Sequence, residues 1–317
     1  NLGDSTTVEG DSMSELLLNY TDISEKVTLS SCVHEMYAGG RSDSLHVRIS
    51  DTDGQFDKWK LKTGSPVEFK DSGTGTGKMF LYSSAPDSSY YDLRAYSMPP
   101  SGTLPNSKAW ERVHFSQIGQ EIAKRHGLEF ESYGVSDHVY EYRKQENEED
   151  FKFFGRLCTL ERAALTIYDG KLIAAYEPYL EAIEPAITID TTGCHVECED
   201  NSVLSYGSTT VSCGPYTGTY KAPGENSRIW VPQKPIKCQS TLEAIRFAAG
   251  VLREKNKMLV CGSIEASLMP IYAPGIMVNI LNQQAPSWSG AFYIYKVRHD
   301  YGKHKTKIFF RKKLEGY

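Results

Sequence analysis

The chain has 317 residues, 40% hydrophobic and 24% charged, a composition that excludes a disordered, collagen-like or disulfide-framework protein. Forty acidic residues against 35 Lys plus Arg give a formal charge of −5, so the molecule as a whole carries no electrostatic footprint for nucleic acid or an anionic membrane. The longest uncharged apolar stretches, Met258 to Ile264 and Ile276 to Leu281, fall far short of the roughly 20 residues of a membrane helix.

At roughly 100 to 200 residues per domain the length predicts two domains or three small ones. Asn1 to Gly10 is polar, without a basic region, an apolar stretch or a cleavage site, so no secretory signal is expected. Leu45, Val47 and Ile49 alternate, as do Val67 and Phe69, which predicts half-buried strands over 45–51 and 66–70. Further strands are predicted over 79–83 and 90–97, with Gly39-Gly40, Asp53-Gly54 and Gly73 to Lys78 as turns. Residues 1–100 are therefore expected to form one small β-barrel or sandwich.

Met98-Pro99-Pro100-Ser101-Gly102 marks a boundary. Phe115, Ile118 and Ile122 then share a helical face that Gly127 stops, and a second helix is predicted from about Glu148, with Phe151, Phe154, Leu157 and Cys158 on one stripe. In that reading the acidic run Glu146 to Asp150 complements the helix dipole. Ala164 to Tyr168, Asp169-Gly170 and Lys171 to Ala175 read as a hairpin with a type I′ turn. Residues 101–180 are thus expected to be a central α+β unit.

Residues 181–317 return to strands, at Ile187 and Ile189, Val203 to Tyr206, Gly214 to Tyr220, Ile229 to Val231, Met258 to Leu268, Ile276 to Leu281, Phe292 to His299 and Lys305 to Lys312. One helix interrupts them, capped by Ser240 and carrying Leu242, Ile245, Ala249 and Leu252 at helical spacing up to Lys257. Apolar residues point both ways in the last two strands, which predicts that both faces are covered. Phe292, Ile294, Ile308 and Phe310 are the candidate subunit-interface residues.

Motifs for catalysis are absent or incomplete. Gly73-Thr-Gly-Thr-Gly-Lys78 lacks the spacing and the following helix of a phosphate loop, and reads as a hairpin turn. His34-Glu35 has Ala38 where a zinc-protease helix needs its second His. Cys194, His195, Cys198, Cys213 and Cys238 are the one metal-ligand candidate set, without Cys-x-x-Cys knuckles; scattered thiols are the simpler reading. The seven cysteines, an odd number, favour a reducing compartment. No Gly-x-Ser-x-Gly elbow occurs, and the acids at 146–150 are consecutive rather than opposed across a cleft. The basic residues interleaved with Phe309 and Phe310 fit an oligomer contact or a solvated edge strand better than nucleic-acid recognition.

The blocks WERVHFSQIGQEIAKRHGLEF from Trp110, YEYRKQENEEDFKFFGRLC from Tyr140 and the hairpin LTIYDGKLIA resemble the central segment of phage late control protein D and related tail baseplate hub proteins. Gln145, Glu148, Asp150, Phe154, Arg156 and Leu157 stand at matching positions, with Glu149 where Ser is usual. Asp43-Ser44-Leu45 through Trp59 and Gly64 to Val67 resemble the opening barrel. The helix 241–257, Pro274 to Asn279 and Tyr293 to His299 resemble the C-terminal barrel.

The resemblance implies a β-rich α+β protein: two tube-like β-barrel domains, 1–100 and 181–317, a central α+β domain, 101–180, and a helix at about 240–257 embedded in the second barrel. It implies a structural hub and not an enzyme, without a cofactor. Its homotrimer would form a pseudo-hexameric ring that adapts a sixfold tail tube to a threefold spike. The implied partners are the tail tube protein, a central spike or needle protein and baseplate wedge proteins, in a phage or phage-like contractile particle assembled in the bacterial cytoplasm. A tail-associated cell-wall hydrolase and a carbohydrate-binding tail module are the alternatives; a triad, a zinc pair or opposed carboxylates would favour the first, and aromatic platforms in a cleft the second.

Overall fold

A computed structural model describes residues 14–317; the N-terminal stretch read as lacking a secretory signal lies outside the described residues. Period-2 burial organises both ends of the chain. Leu45, Val47 and Ile49 face inward from the strand Ser44–Ser50, and Val67 and Phe69 from Pro66–Asp71. With Leu16, Phe56, Met79, Leu81 and Leu93 they fill the first of three cores. The C-terminal core is built the same way, from Ile264, Val278, Ile280, Phe292, Ile294, Val297, Ile308 and Phe310.

Both cores lie on one 14-stranded sheet. Its main path runs His195–Asp200, Val260–Ser267, Lys305–Lys312, Gly290–Asp300, Leu29–Tyr37, Ser44–Ser50, Tyr90–Tyr96, Met79–Asp87, Pro66–Asp71, Glu15–Leu18, Thr21–Asp22. Ile187–Asp190 and Met277–Leu281 branch from Gly290–Asp300, and Thr74–Gly75 pairs with Pro66–Asp71. The antiparallel register of Leu29–Tyr37 against Gly290–Asp300 makes the two terminal thirds a single sheet. The β-rich α+β class expected from sequence holds. No pairing among the described residues closes either third into a barrel; the path is open at both ends.

The helices are α1 (Gln55–Lys58), α2 (Phe115–Arg125), α3 (Asp150–Leu160), α4 (Glu177–Glu181) and α5 (Thr241–Asn256). Gly127, at φ +67°, ends α2 where the sequence places the stop. The hairpin Ala163–Tyr168 and Lys171–Tyr176 turns at Asp169 and Gly170, both with positive φ, as a type I′ turn requires. Ser240 caps α5, its Oγ accepting from Glu243 N at 3.1 Å.

Two local expectations are corrected. The acidic run belongs to a strand, Val139–Glu149, that pairs with Pro105–His114; only Asp150 enters the helix. Val203 to Tyr206 is not a strand, since Ser202–Leu204 forms a 3-10 turn, entered where Asp200 Oδ1 accepts from Ser202 N at 2.8 Å. The helix placed by sequence within the second β-unit packs there on Ser208–Cys213 and Tyr216–Lys221, and it also crosses α3, so that Ala244, Phe247, Ala248 and Val251 share one core with Val211 of its own unit and with Trp110, Phe115, Phe153, Phe154 and Leu157 of the middle unit. That crossing is close enough that a Cβ on Gly250 would lie 2.3 Å from Leu160 O, so only glycine fits.

Candidate functional site

Catalytic chemistry and assembly make different demands on a site, so the charged groups at the joints between the three units are the informative ones. At the strand pair Leu29–Tyr37 and Gly290–Asp300, Glu35 lies 3.2 Å from Lys296 Nζ and 3.5 Å from Arg298, and accepts from the Tyr37 hydroxyl at 3.0 Å. Burial pushes its carboxyl up, but the bonds from Tyr37 and Lys296 and the two cations outweigh this and hold it below the usual range.

His34 and His299 face each other in the same register. His299 is satisfied, with Nδ1 2.9 Å from Thr306 Oγ1 and Nε2 3.0 Å from Tyr272 O. His34 Nε2 has no partner among the described residues. Burial, with His299 adding to it, pushes the His34 imidazole down to about 3, and burial also lowers His299. Both rings are neutral packing groups at neutral pH.

A second joint ties the middle unit to the C-terminal strand. Glu177 and Glu181 of α4 meet Arg253 and Lys257 at the end of α5 and Arg311 of Lys305–Lys312. Arg311 lies 2.6 Å from Glu181 and 3.3 Å from Glu177; Arg253 lies 2.5 Å from Glu181. Glu181 also accepts from Leu314 N at 3.1 Å. Burial raises Glu177, yet Lys257, Arg311 and Arg253 bring it down to about 2. The cluster holds three segments together, and Glu177, kept ionised by its cations, is not poised as a general acid.

Inside the middle unit, Asp150 is almost completely buried and takes four hydrogen bonds, from Arg125 at 2.6 Å, His126 at 2.9 Å, Gln145 at 2.7 Å and Asn106 at 3.3 Å. Burial raises its carboxyl, but the bonds from Gln145, Arg125 and His126 take it below the usual range. Ser101 Oγ completes a line, 2.8 Å from His126 Nδ1. Ser101, His126 and Asp150, which the sequence reading did not bring together, thus stand in the order of a hydrolytic triad. The resemblance is limited, because Arg125 occupies the same oxygen, Asp150 Oδ2, that meets His126. A carboxylate already neutralised by a guanidinium gives little support to an imidazolium. Asp150 is a packing hub that fixes α3 against α2 and the strand pair Pro105–His114 and Val139–Glu149.

The four predicted interface residues are buried within the single chain. Phe292, Ile294, Ile308 and Phe310 are at most 6% exposed within the single chain and pack on one another and on Trp288. Their apolar excess is covered by the chain's own strands, and the side chains present no surface to a partner. The candidate thiols also separate: Cys238 and Cys213 belong to the middle core, whereas Cys194 packs on the C-terminal core and Cys198 is exposed on the strand His195–Asp200. No group of three metal-ligating side chains occurs among the described residues.

The glycine run at 73–78 is a turn, as expected, with a docking role the sequence did not reveal. Lys78 N donates to Asp169 Oδ1 at 3.0 Å, and Gly77, at φ +64°, lies so close that a Cβ would stand 2.8 Å from Asp169 Cβ. The first β-unit thereby grips the tip of the middle hairpin.

No known family profile and no curated protein matches the chain by sequence. Solved structures do match. The 43 kDa tail protein of prophage MuSo2 from Shewanella oneidensis superposes with a TM-score of 0.74 at 9% identity, over 95% of this chain and 98% of that one. A tail protein from Neisseria meningitidis MC58 gives 0.72 at 11% identity, over 94% and 96%. The c3393 protein of E. coli, a component of the type VI secretion system, gives 0.60 at 11% identity, over 96% and 78%. The fold of this chain is that of these phage-tail and secretion-system proteins.

Proposed function

We propose that the chain is a structural hub of a tail baseplate. Three copies form a pseudo-hexameric ring that adapts a sixfold tail tube to a threefold spike in a phage or phage-like particle. The carrying observation is the joining of two β-units into one sheet by the pairing of Leu29–Tyr37 with Gly290–Asp300, in a fold matched along nearly its whole length by two tail proteins. Two β-units per chain give three chains six such units, the count a sixfold tube meets at its end.

The joints support the reading. A hub transmits load, and here the first unit, the middle unit and the C-terminal strands are bound by Glu35 with Lys296 and Arg298, Asp169 with Lys78, and Arg311 with Glu177 and Glu181. The charged groups at the joints are spent on one another, which agrees with a non-enzymatic role. The partners in this reading are two further copies, the tail tube protein, a central spike or needle protein and wedge proteins. The place is the virion tail, after assembly in the host cytoplasm.

Negative-stain imaging of the purified chain tests the reading. Threefold rings with a central channel are the expected particles, and uniformly compact, channel-less particles at every concentration would oppose it.

A further inference from the structure

One end of the large sheet is bare among the described residues. Among the described residues the strand His195–Asp200 pairs only with Val260–Ser267, so its other edge offers backbone groups unpaired by them. Most of its side chains are exposed, and Glu199 and Asp200 form no ion pair among the described residues. An aliphatic patch follows at once. Val203 is 82% exposed and Val231 71%, among the most exposed large apolar residues described, and Arg228, three residues before Val231, reaches back to Val203 O at 3.3 Å. Leu204 and Ile229, next in sequence to Val203 and two before Val231, are exposed as well. Aliphatic side chains gathered next to an open acidic edge are the mark of a contact surface.

The complement lies toward the other end of the same sheet. Lys58, Lys60 and Lys62 are all exposed, and none has an ion-pair partner among the described residues. They alternate with Trp59 and Leu61, which are half-buried against the first core. This loop leads into Pro66–Asp71, close to the far end of the strand path. The molecule therefore carries acidic and aliphatic groups at one end of its sheet, and unpaired cations alternating with apolar groups near the other.

We propose that the corner formed by His195–Asp200, Val203 and Val231 docks on the 58–62 loop of a second copy of this chain. The contact uses two different patches on identical subunits, so each copy offers one free acidic end and one free lysine loop, and rotation closes the set into a ring. The inference rests on the ring reading above and assigns its subunit contact, in place of the buried residues Phe292, Ile294, Ile308 and Phe310.

The test compares the mass of the full chain with that of two surface variants, Lys58→Glu/Lys60→Glu/Lys62→Glu and Val203→Asp/Val231→Asp, by light scattering. Each variant is expected to fall threefold in mass, to a single chain, with an unchanged melting temperature because the altered side chains are exposed. Glu199→Lys combined with Lys60→Glu is expected to recover part of the trimer that either single reversal loses. Carbodiimide treatment of the wild-type protein, which joins a carboxylate to a lysine with loss of water, is expected to link Glu199 or Asp200 to Lys58, Lys60 or Lys62 between copies. Trimers that survive both variants and give no such link would overturn the docking surface and leave the ring reading standing. A wild-type chain that stays single at every concentration would overturn both.

Discussion

Arg311, on the final strand, lies 2.6 Å from Glu181, on the short helix that closes the middle unit. Both side chains are almost completely buried, and Arg253 and Glu177 complete the cluster. Charges withdrawn from water in this way are costly unless every partner is present. Arg311→Met leaves Glu181 and Glu177 under-compensated, and a loss of about 3–5 kcal/mol is expected from breaking a buried pair. Urea unfolding with Arg311→Met beside an exposed control, Lys312→Met, measures it; equal midpoints would show that the cluster holds nothing.

Acid should loosen the joint between the two β-units. Folding keeps His34 and His299 neutral, with the His34 imidazole at about 3 and His299 also lowered, whereas the unfolded chain takes up protons near 6.5. The unfolded state then binds more protons, so their contribution is whole above pH 6.5 and is lost as pH falls toward the folded value. Asp43 acts with the opposite sign, since burial holds it up to about 7 and its contribution is lost as pH rises through that value. The difference between wild type and His34→Leu therefore isolates the imidazole. Between pH 6.5 and 4.5 the variant is expected to lose less stability than wild type, by on the order of 1 kcal/mol per pH unit, in denaturant titrations at stepped pH. Parallel pH curves would contradict this.

A separate acid window belongs to Glu177. Its carboxyl, brought down to about 2 by its three cations, contributes above the unfolded value of 4.5 and loses that contribution as pH falls toward 2. Lys257→Met removes the first of those cations. The variant is expected to begin acid unfolding at higher pH than wild type, followed by circular dichroism, and an unchanged onset would contradict the assignment.

Gly77 is a second structural lever. A side chain there meets Asp169 at 2.8 Å and must be held at φ +64°. Gly77→Val is expected to cost more than about 1 kcal/mol and to raise amide exchange at the tip of the hairpin Ala163–Tyr168 and Lys171–Tyr176. Protection unchanged at 168–171 would show that the turn does not grip the hairpin.

Ser101 and Asp150 are predicted to separate cleanly. Asp150→Ala leaves Arg125, His126 and Gln145 without their shared acceptor, and a loss of several kcal/mol is expected, ~3–5 by comparison with other buried pairs. Ser101→Ala, at an exposed turn, is expected to stay within about 0.5 kcal/mol of wild type. A serine-directed fluorophosphonate is expected to leave Ser101 unlabelled; labelling there would make the Ser101–His126–Asp150 line a working nucleophile and reopen the hydrolase alternative.

Much of the architecture was legible in the sequence where one face is wet and the other dry. Ser44–Ser50, Pro66–Asp71, α2, α5 and the Asp169-Gly170 hairpin all fall where alternation, helical spacing and caps place them. The strand that unites the sheet, Leu29–Tyr37, escaped because its inward set is Cys32, His34 and Met36, and a buried histidine breaks an apolar pattern. The ribbon of Pro105–His114 and Val139–Glu149 escaped for the opposite reason: it is mostly exposed and reads as polar loop and acidic helix start. Strand periodicity identified Phe292, Ile294, Ile308 and Phe310 as doubly covered but not by what, and their cover is intramolecular. The joints made by Arg311, Asp150 and Asp169 link residues far apart in sequence, and no local pattern announces them.

The most direct test of the central claim is the mass of the purified full chain by light scattering across a wide concentration range. The account predicts a species three times 35.5 kDa that dissociates as salt rises, because its proposed subunit contact pairs lysines with acids. A single chain of 35.5 kDa at every concentration and ionic strength would contradict it.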